Sequence, residues 1–232
     1  MRIQYLDTLC SWHRVVHYNM KKMVTPQASM NLVPSGINLA VLLSGSGRTL
    51  QNFIDLINKG QLPAIIQVVI SSKKDAYGLE RAKKHNIPNY LVERKQYPST
   101  TEFSQAVNNI LKKYPIDLII MAGFLNLYLI PPEYQGKVMN IHPALLPDFG
   151  GKGFYTDKVH KAVLDAGVKF SGCTVHFADN SYDTGPIILQ KKVPILENDT
   201  PETLANRVFQ AELEAYPEAI RLFAEGKLKQ RD

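Results

Sequence analysis

Cysteine is nearly absent: Cys10 and Cys173 are the only two in 232 residues. They are too few and too far apart for the disulfide framework of a small secreted domain or for a zinc ribbon, and a reducing cytoplasm suits such a chain. Long hydrophobic runs are missing too. The longest, residues 118–125, is broken by Gly123 and falls far short of the roughly 20 apolar residues that cross a bilayer, so no membrane partner is expected. No H-E-x-x-H or comparable ligand spacing occurs, and no metal is expected. Acidic residues are outnumbered, 21 against 27 basic, for a net charge of +6. The basic residues nevertheless sit beside acids, as at Glu80/Arg81 and Glu93/Arg94. Such dispersal argues against a nucleic-acid partner and for an anionic small molecule.

What is present is an ordinary globular composition, 45% hydrophobic and 21% charged, enough for one core. Residues 1–36 read differently from the rest. Arg2, Arg14, Lys21 and Lys22 face the single acid Asp7, no period is sustained, and the stretch closes on Pro34-Ser-Gly36. They are expected to form an irregular, disordered extension, with Met20, Met23 and Met30 offering downstream starts, and residues 37–232 the folded domain.

From Ile37 onward short apolar runs alternate with helical patterns, which predicts an α/β fold with a mostly parallel sheet. Strands are expected at 38–43, 65–71, 89–92, 118–122, 138–141, 172–177 and 187–193. Helices are expected at 49–58, 78–85, 101–114, 156–165 and 201–223. In the first helix Leu50, Phe53, Ile54 and Ile57 share one face. The last two strands, joined by the turn-rich segment 179–186, are expected as an antiparallel hairpin at the sheet edge. The long final helix opens on Asp199-Thr-Pro-Glu202, a capping signal with acids near the positive end of the dipole, and Gly226 supplies its stop.

The first strand runs directly into Ser44-Gly-Ser-Gly-Arg-Thr49 and then a helix. Two glycines there let the backbone turn tightly and present N–H groups at a helix N-terminus, where partial positive charge favours phosphate. It is neither a Walker loop nor the full G-x-G-x-x-G fingerprint, and a glycine turn without a ligand is an equal reading.

A second polar cluster lies at Asn140 and His142, two apart at the end of a short strand and so on one side of the sheet. Pro143 then turns the chain outward. An amide and an imidazole thus meet at the carboxyl ends of parallel strands, where open α/β sheets bind ligands. The turn Ala178-Asp-Asn-Ser-Tyr-Asp-Thr-Gly-Pro186 brings two carboxylates, Asp179 and Asp183. Either can hold an imidazolium in orientation and raise its pKa; an Asx turn in a hairpin is the competing reading.

These residues carry a family resemblance. Asn140-Ile-His-Pro-Ala-Leu-Leu-Pro147, Gly172-Cys-Thr-Val-His-Phe177, Asp183-Thr-Gly-Pro-Ile-Ile-Leu-Gln190 and Ala122-Gly-Phe124 together resemble the folate-dependent formyltransferase superfamily, over about residues 37–227. The resemblance implies a Rossmann-like, mostly parallel central sheet flanked by helices, with an antiparallel edge hairpin and a long C-terminal helix. It implies 10-formyltetrahydrofolate as cosubstrate, with Asn140, His142 and Asp183 as catalytic residues. Among members acting on a phosphorylated glycinamide, on methionyl-tRNA, on sugar amines or on water, three features favour the first. The glycine loop resembles its phosphate loop, 232 residues leave little room for the extra domains expected of the tRNA and hydrolytic enzymes, and Arg207 to Pro217 resembles its final helix. On that reading Gly47, Arg48, Thr49 and Glu212 bind 5'-phosphoribosylglycinamide, Glu212 holding the amine. Leu125, Asn126, Leu127, Tyr128, Asn140 and Thr100 meet the folate. A monomer or homodimer is expected.

Departures are visible. Arg48-Thr49 stands where the family often has Ser-Asn, which adds a charge near the phosphate, and Asn126 stands where it often has arginine. The loop Asp148-Phe-Gly-Gly-Lys-Gly-Phe-Tyr155 also differs and has the composition of a mobile lid. Cys173, inside a strand, is expected to be a small core residue rather than a nucleophile.

Overall fold

The computed structural model describes residues 36–155 and 157–228. The expected extension, apart from Gly36, lies outside them, as does Thr156 at the predicted start of the fourth helix. The elements run β1 (Ile37–Leu43), α1 (Arg48–Asn58), β2 (Ala64–Ser71), α2 (Tyr77–Lys84), β3 (Asn89–Leu91), α3 (Thr100–Leu111) and β4 (Leu118–Met121). After these come β5 (Val138–His142), α4 (Asp157–Asp165), β6 (Phe170–Phe177), β7 (Ile187–Pro194) and α5 (Pro201–Ala224).

One sheet of seven strands has the order β3-β2-β1-β4-β5-β6-β7. The pairs from β3 through β5 are parallel, and β6 and β7 complete the sheet antiparallel. The connection leaves β1 toward β2 on one side and returns through β4 on the other, so a topological switch point lies between β1 and β4.

Alternation along β1 builds both halves of the core. Leu39, Val41 and Leu43 face α1 and α5, meeting Leu50, Phe53, Leu204, Val208, Tyr216 and Ile220. Ala40 and Leu42 face the other way, toward Phe103, Val107 and Leu111 of α3 and toward Tyr128 and Tyr134. Each fully buried side chain of this size contributes about 1.5–3 kcal/mol.

Two boundaries differ from the expected ones for identifiable reasons. Strand β6 begins at Phe170 rather than 172 because antiparallel pairing runs on to Pro194; Phe170 is exposed there, so no inside-outside alternation marks the extra residues. Helix α3 ends at Leu111, three residues early. The N–H groups of Lys113 and Tyr114 donate to the carbonyls of Ile110 and Leu111, a tightening to three-residue spacing that ends the helix.

Helix α5 passes through Pro217 without breaking. Proline has no N–H for the carbonyl four residues earlier, that of Leu213, and Asn52 of α1 donates its side-chain amide to that oxygen at 2.9 Å. The start of α5 is tied by Asp199, which accepts from Arg207 through both carboxylate oxygens and from Thr203 and the Leu196 N–H. The Arg207 guanidinium holds the Asp199 carboxyl far below its ordinary range, the other donors assisting. A depressed carboxylate pKa contributes stability that is present above the unfolded value and lost as pH falls through the folded one. Asp199→Ala is therefore expected to lower Tm at pH 7 by about 4–8 °C. Thermal melts from pH 7 to pH 2 should show the gap to the parent narrowing below about pH 4.

Candidate active site

The carboxyl ends of β1, β4 and β5 open into a cleft of about 680 Å³, bounded by residues 151–155, the β6–β7 turn and α5. Its place beside the switch point follows from the strand order.

At one end lies the glycine loop. Gly47 caps α1 in the left-handed region, φ +67°, and no side chain caps the helix, so the first-turn N–H groups are left for solvent or an anion. Helix α2 buttresses the loop from behind: Gly78 N–H donates to the Gly45 carbonyl and Arg81 Nε to that of Ser46. A Cβ at Gly47 would lie 2.6 Å from the Gly78 Cα, whereas one at Gly45 would meet nothing within 4 Å. Gly47 is thus required by the fold itself, and Gly45 is the position that separates fold from ligand. Gly45→Val is expected to keep its Tm and raise the apparent Kd for inorganic phosphate about 10-fold, while Gly47→Val loses stability outright. Calorimetry and phosphate titration check both.

Arg48 stacks its guanidinium 3.8 Å over the Phe209 ring. Thr49 is buried, and with Arg48 and Glu212 it lines the cleft. Loss of water around Glu212, in the wall formed by α5, pushes its carboxyl up to about 8 against the pull of Arg48.

Across the cleft the segment after β4 forms a wall. Leu125, Asn126, Leu127 and Tyr128 all line it. Leu125 N–H donates to Ser44 Oγ at 3.0 Å, Asn126 Nδ2 to Ser72 Oγ at 2.8 Å, and the two serine hydroxyls share a 2.6 Å bond. The Asn126 amide that stands in place of an arginine is therefore engaged in strapping this wall to the ends of β1 and β2. Tyr128 is buried against α3, its hydroxyl donating to Asn108 Oδ1. Thr100 is not brought to the cleft: it opens α3, where Ser99 and Glu102 form a capping box, and its hydroxyl accepts from Arg94 at 3.4 Å.

Between the two ends, β5 and the β6–β7 turn bring Asn140, His142 and Asp183 together. Asp183 Oδ2 lies 3.4 Å from His142 Nδ1 and accepts from Gly151 N–H at 3.0 Å; Asp183 Oδ1 accepts from Asn140 Nδ2 at 3.3 Å. Asp183 reaches them from a backbone with φ +58°, a conformation in which an L-residue stores strain and which Asp tolerates better than most. Of the two carboxylates in the turn, Asp179 takes the structural part, accepting from Ser181 N–H and the Thr184 hydroxyl as an Asx turn. His142 Nε2 donates to the Phe149 carbonyl at 2.7 Å, because a carbonyl can only accept. A neutral ring would set its Nδ1 lone pair against the Asp183 carboxylate, so that contact is attractive only in the imidazolium.

Asp183 pulls the histidine upward as expected, but a larger effect opposes it. Burial pushes His142 below its ordinary value, outweighing the pull of Asp183 and the Phe149 carbonyl. Burial alone would raise Asp183, but the neighbouring His176 ring, the His142 charge and the Gly151 N–H together hold it low. Burial thus favours the neutral imidazole, while the Asp183 carboxylate and the Phe149 carbonyl favour its protonated form.

His176 completes the cluster and was given no role on sequence grounds. It is 1% exposed and stands opposite Asn140 in the β5–β6 register. The readable signal was its two-residue spacing from Thr174 on the strand facing Asn140. Phe209, the platform beneath Arg48, had no signal of its own among the apolar residues of the final helix. Among the described residues no group of three or more His, Cys, Asp or Glu is arranged to hold a metal ion, and no helix is long and apolar enough to cross a membrane.

Comparison with known proteins gives a consistent result. Residues 37–220 match the formyl transferase family. The phosphoribosylglycinamide formyltransferase of Haemophilus influenzae is 40% identical over 197 residues, 84% of this chain and 90% of that protein. The Gallus gallus trifunctional purine biosynthetic protein adenosine-3 is 42% identical over 195 residues, of which the match spans only 19% of its length. Among solved structures, glycinamide ribonucleotide transformylase 1 from Symbiobacterium toebii superposes with a TM-score of 0.78 at 43% identity, covering 85% of this chain and 92% of that one.

Proposed function

The chain belongs to the formyl transferase family, and we propose that it moves the formyl group of 10-formyltetrahydrofolate onto the amine of 5'-phosphoribosylglycinamide, a step of purine biosynthesis. One observation carries the reading: a single cleft holds an uncapped glycine loop, the raised carboxyl of Glu212, and Asn140, His142 and Asp183 between them.

The substrate phosphate lies on the loop N–H groups beside Arg48 and Thr49, and Glu212 takes the amine. The pterin lies against residues 125–128, through backbone groups and apolar walls rather than a charged side chain. The amine nitrogen attacks the formyl carbon, the carbonyl π-bond opens, and its oxygen gains negative charge. Asn140 Nδ2–H and the His142 Nε2–H now held by Phe149 are the donors for that oxygen; each such donor contributes roughly 3 to 4 kcal/mol. The proton shed by the attacking nitrogen passes through water to the His142–Asp183 pair and on to folate N10. The C–N10 bond then breaks and the C=O re-forms. For Nε2 to serve, the Phe149 carbonyl must withdraw, which gives the 148–155 loop a lid's task.

The test is to incubate the purified protein with 10-formyltetrahydrofolate, with and without 5'-phosphoribosylglycinamide, and to follow folate release and the formylated product. Release that requires the amine supports the reading; release to formate without it would make the enzyme a hydrolase.

A further inference from the structure

The β5–β6 register sets His176 directly opposite Asn140, and the ring is fixed by contacts on both nitrogens. Its Nδ1 lies 2.9 Å from the Phe177 carbonyl, which can only accept, so Nδ1 carries the hydrogen. In the neutral ring Nε2 is then a lone pair, 3.1 Å from Asn140 Nδ2 and 3.5 Å from Asp183 Oδ1. These contacts decide which way the Asn140 amide faces. With oxygen and nitrogen exchanged, the amide oxygen would oppose both the imidazole lone pair and the Asp183 carboxylate, three acceptors with no proton among them.

Asn140 Nδ2 has two hydrogens, and at rest one goes to His176 at 3.1 Å and the other to Asp183 at 3.3 Å. A formyl oxygen can take only a hydrogen that one of them releases. Asp183 has a replacement donor in His142 as soon as the imidazolium forms, whereas among the described residues the donor on His176 Nε2 is Asn140. We propose that His176 is a positioning residue for formyl transfer: it keeps one Asn140 N–H permanently, so that the other is handed from Asp183 to the developing oxyanion. On this assignment His176 acts through Asn140.

This rests on the reaction proposed above, so its test has one readout in turnover and one that does not depend on it. His176→Phe keeps a planar ring without an acceptor, and His176→Gln offers a side-chain oxygen that can accept from Asn140. The Phe variant is expected to lose about 10- to 100-fold in kcat, less than removal of an oxyanion donor outright, with both KM values within about twofold; the Gln variant regains most of the loss. In an Asn140→Ala background the same His176→Phe change should alter kcat by less than about twofold, because its object is gone. An equal loss in both backgrounds, a loss carried by KM, or a Phe variant as active as its parent overturns the proposal. Independently, the Asn140 side-chain NH2 signals in a 15N spectrum, assigned by their loss in Asn140→Ala, should be protected from solvent exchange in the parent and the Gln variant and unprotected in Phe. Unchanged protection in Phe also overturns it. A parent that transfers no formyl group would sink the proposed reaction, while the spectra would still decide whether His176 orients Asn140.

Discussion

Asp183→Asn is expected to lower kcat by about 10³-fold while both substrates still bind, since in the proposed reaction the carboxylate supports the imidazolium rather than either ligand. The geometry behind this is the 3.4 Å approach of Asp183 to His142 Nδ1, favourable only when that nitrogen is protonated. Removing the negative charge also removes the attraction that offsets burial, so the limb of the pH profile that follows protonated His142 should move to lower pH. Combining the change with His142→Ala should cost far less than the product of the two single losses, because the pair acts as one unit. A double-mutant cycle on kcat/KM, with binding measured separately for each variant, decides the matter. Strict multiplication of the losses would mean that the two side chains work independently. Asp179 offers no fallback, since its carboxylate is spent on its own turn.

The second large effect concerns Glu212, and it has two parts of opposite sign. Glu212→Gln is expected to cut kcat/KM for the ribonucleotide by about 10²-fold with little change in folate KM, because a neutral amide holds an amine less well than a carboxylate. The same change should raise the melting temperature of the ligand-free protein. Burial pushes the Glu212 carboxyl up to about 8, and a group whose folded pKa is raised contributes stability below its unfolded value that is lost as pH rises through the folded one. Glutamine escapes this. The two proteins should melt together near pH 4, diverge as the pH rises, and differ by about 3–5 °C at pH 8 and above, a figure kept small because the cleft admits water. A glutamine variant no more stable than its parent at pH 8 would show that the carboxyl is not desolvated.

The fold was legible because its signals are redundant: each strand is a short aliphatic run, and the helices between carry one apolar face. The mixed sheet followed from the change of pattern after Ile141, and the edge hairpin from the turn at 179–186. The polar cluster of the cleft was legible for a different reason. Asn140 and His142 share a strand face by simple parity, and Asp183 lies in a turn that must return to that strand's neighbour. What the sequence did not carry were relations fixed only by packing. Which carboxylate meets His142 depends on a left-handed backbone at Asp183, and parity is silent about turns. The lowered His142 depends on how completely the loop covers it, and Gly47 is constrained by a helix thirty residues away. Thr100 was carried by resemblance alone, and the capping of α3 sets it aside from the cleft.

The contact between Asn52 and the carbonyl of Leu213 joins residues 161 apart, and that separation has a meaning in time. A ribosome adds about 5–20 residues per second, so roughly 8–30 s pass between the emergence of one partner and the other. Throughout that interval β1 and the apolar face of α1 exist without α5, whose Leu204, Val208, Tyr216 and Ile220 will cover them. The nascent chain thus carries an uncovered apolar surface on the helix that begins at the glycine loop. Holding factors on the ribosome, or slow decoding before residue 201, would act on this surface first.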